Sequence, residues 1–344
     1  DWYLFRNVSH AFLQLLMDGA AFGLLVYMLA QGEITASEFV FYIGLASGFS
    51  TYFEGVLRQV MWFGNTSASI SYMREFLETE DGWNRGDGVG AETMERMRKN
   101  AVKLELRNVS FTYPGSSGPT LKNINVTVHA GEKVALIGLN GAGKTTLVKL
   151  ICGFYHPTEG EILLNGIPAQ EFNREEWYSL MAVLFQDFTF PALTLDENLT
   201  GQEPGEIDRE RLGKALDLSG FREVYERLPE KGKTLLVREI NENSTDFSGG
   251  ERQKMLFART LYLDAPLVIL DEPTAALDPI AENELYLNYG KAMENKTGIY
   301  ISHRLSSTRF CDRILLLEHG EIMEEGTHES LLAGNTRYAE LFEI

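Results

Sequence analysis

Hydrophobic positions divide this chain into two unlike regimes. From Ala11 to Ala30 the only charged residue is Asp18, and from Phe39 to Phe53 there is none. Twenty helical residues span about 30 Å, the thickness of a bilayer core, so the pattern predicts membrane-crossing helices at about 11–30 and 34–55, the second running on into the cytosol. On an insertion scale each strong apolar residue contributes roughly −0.3 to −0.6 kcal/mol and a central Asp opposes it by roughly 3 kcal/mol. The first helix therefore inserts only marginally alone and is expected to have partners that shield Asp18, which reads either as a pathway residue or as the mate of a basic side chain elsewhere. Gly19-Ala-Ala-Phe-Gly23 and Gly44-Leu-Ala-Ser-Gly48 are small-residue spacings that read as helix packing.

Beyond Leu77 the chain is densely charged. Residues 79–100 are glycine-rich and charged without an apolar period, which reads as a linker. Val102, Leu104 and Leu106 then alternate as a strand should. Further strand-like runs are Ile124–Val128, Val134–Ile137, Ile162–Leu164, Val183–Phe185, Leu267–Leu270, Gly298–Ile301 and Ile314–Leu317. Helical patterns lie between several of them, predicting a largely parallel sheet flanked by helices, with an antiparallel portion near Val102–Val128. Thr194–Leu263 reads as a mostly helical lobe. The expected organisation is a partial transmembrane domain over 1–78, a linker over 79–100 and a globular domain over 101–344.

Charge and composition narrow this picture. Across 344 residues the formal net charge is −18, which argues against a nucleic-acid partner, since duplex binding rests on basic residues that neutralise phosphates. The two cysteines, Cys152 and Cys311, have no metal-ligand spacing and read as ordinary thiols in a reducing compartment. Gln31–Ser37 lacks Lys and Arg, whereas Arg6 precedes the hairpin and Arg58 and Arg74 follow it; the positive-inside rule then places both hairpin ends, and everything after them, in the cytoplasm. No basic segment precedes the first apolar run, so a cleaved leader is not expected and the sequence reads as a fragment.

Candidate chemistry centres on Val134–Val148. An apolar run breaks into Gly138-Leu-Asn140-Gly141-Ala-Gly143-Lys144-Thr145-Thr146, and a helical pattern follows. In that context G-x-x-x-x-G-K-[ST] is a phosphate cradle: backbone N–H groups turn inward, a helix N-terminus adds partial positive charge, Lys144 reaches the terminal phosphates and the Thr145 hydroxyl ligates Mg2+. Leu267-Val-Ile-Leu270 ends in Asp271 and Glu272, carboxylates suited to holding Mg2+ and to orienting and deprotonating water. Ser248-Gly249-Gly250-Glu251 opens a further helix and makes a second anion site, which fits a nucleotide held by another subunit. His303, Gln186 and Tyr113 follow strand-like runs, where they could contact a γ-phosphate, a metal or water, and adenine respectively.

Taken together, Tyr113, Gly138 to Thr146, Gln186, Ser248 to Glu251, Asp271-Glu272, Asp278 and His303 resemble the motif set of ABC transporter ATPases. That resemblance covers about Val102 to Ile344 and implies an α/β P-loop NTPase with antiparallel and helical subdomains, preceded by an all-α transmembrane hairpin. It makes Tyr113 the adenine-stacking aromatic, Gly138 to Thr145 the Walker A loop, Gln186 the Q-loop, Phe247 to Glu251 the signature and Leu267 to Asp271 the Walker B strand. Glu272 becomes the catalytic base, Ala276-Leu277-Asp278 the D-loop and His303 the switch histidine. ATP and Mg2+ are the implied ligands. The hairpin resembles the last two helices of a type IV exporter half-transporter, which implies a multi-pass plasma-membrane protein, a second identical or paralogous half, contact with membrane lipid, and export of an unidentified lipid, peptide or drug. The alternatives are a soluble ABC ATPase without transport function or another P-loop NTPase. Phe247 and Glu251 depart from the family's usual Leu and Gln, the latter adding negative charge near the opposite phosphate, and Arg238 to Asn243 depart from an acidic, glycine-containing segment.

Overall fold

The computed structural model describes residues 2–78, 86–185, 188–236, 247–272, 289–290, 293–302, 308, 310–334 and 336–342. Gln186, Asp278, His303 and the segment Arg238–Asn243 lie outside them. The chain divides into two compact units, Asp1–Asp81 and Gly82–Ile344.

The first unit is a helical hairpin of α1 (Trp2–Ala30) and α2 (Ala36–Leu77). Thr35 starts α2 with a reciprocal cap: its hydroxyl accepts from the Glu38 amide at 3.3 Å and its own amide donates to the Glu38 carboxylate at 2.8 Å. The Phe22 and Phe39 rings meet edge-on at 5.9 Å. Long helices thus stand where two spans were expected. Yet among the described residues no helix is long and apolar enough to cross a membrane. Nor do the glycine spacings serve the α1–α2 contact, because a Cβ built at Gly19, Gly23, Gly44 or Gly48 meets no atom within 4 Å. A cavity of about 340 Å³ lined by Asp18, Phe22, Leu25, Ile43 and Ser47 lies between the helices.

The second unit begins with a difference from the sequence reading. Within the expected linker, Ala91–Lys99 is a helix, α3, whose Met94 and Met97 are buried in the main core. Two methionines three apart are too short a pattern to register as an apolar period, but they share a helix face. The Val89 and Gly90 amides donate to the Glu176 carboxylate at 3.0 and 3.3 Å, fastening the approach to α3.

From there β1 (Leu104–Phe111), β2 (Leu121–Val128), β3 (Lys133–Ile137), α4 (Lys144–Ile151), β4 (Glu159–Leu164), β5 (Ile167–Pro168), α5 (Arg174–Ser179) and β6 (Met181–Leu184) follow in order. A helical lobe comes next: α6 (Leu195–Thr200), α7 (Arg209–Leu218), α8 (Arg222–Arg227) and α9 (Gly249–Leu263). Then come β7 (Leu267–Asp271), β8 (Thr297–Ile301), β9 (Arg313–Glu318), β10 (Glu321–Gly326) and two short helices. One sheet has the order β2-β1-β4-β5 with antiparallel neighbours, and the other β10-β9-β3-β8-β7-β6. In the second sheet β9, β3, β8, β7 and β6 run parallel, and only β10 pairs antiparallel.

The expected antiparallel portion is therefore present and also recruits β4 and β5 from beyond α4. Strands β7 and β8 are buried along their whole length, as continuous apolar runs covered on both faces must be. One core fills the space between the two sheets with α4 and α5; another joins the helical lobe to β6 and β7. The lobe consequently shares a packed core with the sheet. Both cysteines sit in apolar surroundings that push their thiols up to about 12, in keeping with ordinary structural thiols.

Trp177 in α5 is fully buried, donates from Nε1 to the Ile151 carbonyl at 3.1 Å and meets Phe172 edge-on at 5.2 Å. It joins the end of α4 to α5, so truncation leaves both a cavity and an orphaned carbonyl. Trp177→Ala is expected to destabilise the second unit by about 3–5 kcal/mol, read as a fall of more than about 1 M in its urea midpoint.

Candidate functional site

A parallel sheet delivers its strand ends to one edge, and ligands bind at that edge. Here β3 runs into Gly138, β7 ends on Asp271, and β6 and β8 end beside Gln186 and His303 in sequence.

The loop after β3 is shaped by close approach. A Cβ on Gly138 would lie 2.1 Å from the Leu317 carbonyl oxygen, so only hydrogen fits there. Gly143 caps α4 with φ +109°, a conformation that L side chains rarely adopt. Gly320, in the turn between β9 and β10, donates to the Ala142 carbonyl at 3.2 Å, while its own carbonyl accepts from the Lys122 amide at 2.8 Å. The loop is thereby clamped against β9 and β2. Asn140, Gly141 and Thr145 are exposed at its rim, whereas Lys144 is buried at 7% exposure and Thr146 at 8%.

Lys144 curls back over this loop, donating from Nζ to the Gly138 and Leu139 carbonyls at 2.8 and 3.2 Å. Burial lowers its affinity for a proton, and the negative charges of Glu272 and Asp271 oppose that effect. The ammonium therefore lies within electrostatic reach of both carboxylates. Asp271 is buried at the end of β7. Glu272 has φ +50° and its amide donates to the Ile301 carbonyl of β8 at 2.9 Å. A left-handed glutamate costs backbone energy and persists only where its surroundings impose it. Among the described residues no three His, Cys, Asp or Glu side chains cluster to hold a metal by themselves. An exposed Thr145 hydroxyl and a single buried Asp271 instead suit a cation that takes its remaining oxygens from phosphate and water.

Tyr113 hydrogen-bonds to the Thr146 hydroxyl at 3.1 Å and packs edge-on against Phe111 at 4.9 Å and Tyr155 at 5.3 Å. Tyr155, just past α4, was not singled out from sequence; the Phe154-Tyr155 pair following the phosphate-loop helix is the signal that could have found it.

Ser248 caps α9: its hydroxyl accepts from the Glu251 amide at 3.3 Å, and the Glu251 carboxylate accepts from the Ser248 amide at 2.9 Å. Arg227 of α8 pairs with the other Glu251 oxygen. The Ser248 amide, Arg227 and the Ser248 hydroxyl hold the Glu251 carboxyl below its ordinary range. Phe247 meets Phe221 edge-on at 5.6 Å, so both departures from the usual signature have specific partners. Among the described residues, the polar side-chain contacts of Ser248 and Glu251 run to each other and to Arg227, not to the phosphate loop. One chain does not bring its two anion sites together through them.

A strand, a glycine cradle with a buried lysine, and strand-end carboxylates on a parallel sheet define a P-loop nucleotide-binding domain. Residues 121–275 match the family model described as ABC transporter. The chain is 35% identical over 305 residues, 88% of its length, to the subtilin transport ATP-binding protein SpaT of Bacillus subtilis, covering 48% of that protein. It is 40% identical over 243 residues, 70% of its length, to the ATP-dependent lipid A-core flippase of Burkholderia orbicola, covering 40% of it. A bacterial Atm1-family ABC exporter with ATP bound superposes with a TM-score of 0.73 at 26% identity, covering 98% of this chain and 57% of that one. The domain over residues 121–275 belongs to the ABC transporter family. The chain spans about half the length of the curated relatives it matches.

Gly138→Ala tests the cradle. Strain of about 1–3 kcal/mol at the Leu317 contact should weaken ATP binding roughly tenfold to hundredfold, measured by titration with a fluorescent nucleotide, while far-UV dichroism stays unchanged.

Proposed function

We propose that this chain is the ATP-binding and ATP-hydrolysing part of an ABC exporter half-transporter. Two ATP molecules would be held between the phosphate loop of one chain and the Ser248–Gly250 segment of a second, identical or paralogous, chain. The observation that carries this reading is the convergence of Lys144, Asp271 and Glu272 on one sheet edge, with Glu272 held in a strained conformation.

In that site Lys144 would exchange the Gly138 and Leu139 carbonyls for terminal phosphate oxygens, bringing its charge to where negative charge develops during transfer. Thr145 and Asp271 would hold Mg2+, with Gln186 beside them. When bound, this ion neutralises phosphate charge. Glu272 would orient the attacking water and accept its proton, and His303 would donate to the γ-phosphate. Tyr113 would offer its ring to adenine, and Asn140, Gly141, Gly143 and Thr146 would line the phosphates. Gly249 and Gly250 would present backbone N–H groups at the start of α9 to the second nucleotide, with Asp278 at the interface between chains.

Export rather than a soluble ATPase role is supported by the functions of the relatives, a transport protein and a flippase, and by the long helices α1 and α2. Large apolar side chains there stand open to solvent, Leu15 and Phe49 at 71% and Phe41 at 62%. We read the hairpin as part of a membrane domain whose other helices cover these faces and whose ATP-binding domain lies in the cytoplasm. The solute is a lipid, peptide or drug-like molecule.

Glu272→Gln should lower ATP turnover by roughly a hundredfold or more while ATP stays bound, measured by phosphate release alongside retained nucleotide. Undiminished turnover would remove Glu272 as the base. The full-length protein should remain with the membrane pellet after alkaline carbonate washing; recovery in the supernatant would favour the soluble alternative.

A further inference from the structure

Glu251 is the charged residue of the signature, and its surroundings are arranged around that charge. One carboxylate oxygen accepts from the Ser248 amide and from the Ser248 hydroxyl, each at 2.9 Å. The other accepts from the Arg227 guanidinium at 2.5 Å. Arg227 lies in the last turn of α8, and Phe221 at the start of α8 receives the Phe247 ring. The signature is thus attached to α8 at two points, one apolar and one ionic.

The electrostatic consequence follows from the helix terminus. The start of α9 favours an anion through its free N–H groups. A carboxylate three residues in would oppose a phosphate there if it were free to swing outward. A neutral amide could make the same reciprocal cap without charge, so the acid brings a repulsive element that the amide would not. Arg227 cancels it, and the cap fixes its direction.

Resting on the reading that this segment faces a second chain's nucleotide, we propose that Arg227 is a positioning residue for that nucleotide: it holds Glu251 against the Ser248 cap, so that the Arg227–Glu251 pair presents the neutral face that a single glutamine would present. Arg227 touches neither the phosphate loop nor Glu272 in this arrangement; it acts through Glu251.

A double-mutant cycle in the reconstituted full-length protein tests this. Arg227→Met should raise the KM for ATP roughly fivefold, leaving kcat within about twofold, and the same change in a Glu251→Gln background should move KM less than about twofold. Arg227→Lys, which keeps the charge, should recover most of the loss, and added salt should narrow the gap between Arg227→Met and wild type. An equal rise in KM in both backgrounds would assign Arg227 to support of α8 alone and overturn the proposal, as would an unchanged KM in the wild-type background. Glu272-dependent turnover is read on the wild-type chain and survives either result. Its absence would instead remove the nucleotide reading and the Arg227 proposal with it.

Discussion

A buried ammonium, bonded to two loop carbonyls and within electrostatic reach of two strand-end carboxylates, sets the terms for the rest of the second unit. Charged groups removed from water are stable only when compensated, and Lys144 meets that condition through two loop carbonyls together with Asp271 and Glu272. The loop leaves β3 and the acids leave β7, and these strands are not neighbours. Strand β8 lies between them and ties both: its Ile301 carbonyl accepts from the Glu272 amide, and the Ser302 amide reaches the Leu136 carbonyl of β3 at 3.4 Å. A parallel, fully buried β8 is therefore the spacer that sets how far the lysine stands from its counter-charges. The apolar run Gly298–Ile301 is as much a part of the site as the polar residues at its end.

Much of this arrangement was legible because it is written in local pattern. The apolar runs that became β3, β7, β8 and β9 announced buried strands, and the spacing of Gly138, Gly143 and Lys144 announced the turn that follows β3. What periodicity cannot encode is partnership. Strand β4 lies beyond α4, yet it pairs with β1, because the second apolar face of Ile162 and Leu164 is covered there and not in the parallel sheet. Strand β10 escaped notice for a different reason: Glu321, Glu324 and Glu325 give it the polar character that an edge strand tolerates. The clamp from Gly320 onto the phosphate loop and the pairing of Arg227 with Glu251 join residues far apart in sequence, where no short pattern connects them. For the hairpin the lesson runs the other way. The sequence suggests two spans, yet among the described residues neither helix is long and apolar enough to cross a membrane.

The departures at Phe247 and Glu251 show how a motif can change in composition while keeping its geometry. A signature helix needs a cap, free N–H groups and a rigid seat. Serine and the following glycines supply the first two unchanged. Phe247 keeps the seat by packing on Phe221, and Glu251 keeps the cap by the same bonds that a glutamine would make. The substituted residues differ from the usual ones in volume and charge, and each difference is absorbed by a partner on α8. This compensation is local, so the Ser248 cap keeps its geometry although its neighbours are not the usual ones.

Local compensation would count for little if α9 were packed apart from the strands whose ends carry Asp271 and Glu272, and it is not. Met255 and Phe257 of α9 share one core with Leu184 of β6 and with Val268 and Leu270 of β7. Arg252 of α9 donates to the Phe188 carbonyl at 3.1 Å and lies over the Phe190 ring at 5.2 Å, while Arg259 lies 5.8 Å from the Phe188 ring. The segment leaving β6 past Gln186 is thus gripped by the helix that begins at Ser248. Close-packed interiors transmit displacement because they have few voids in which to absorb it. A shift at the start of α9 must therefore reach the end of β7, where Asp271 and Glu272 stand, and the segment that follows Gln186.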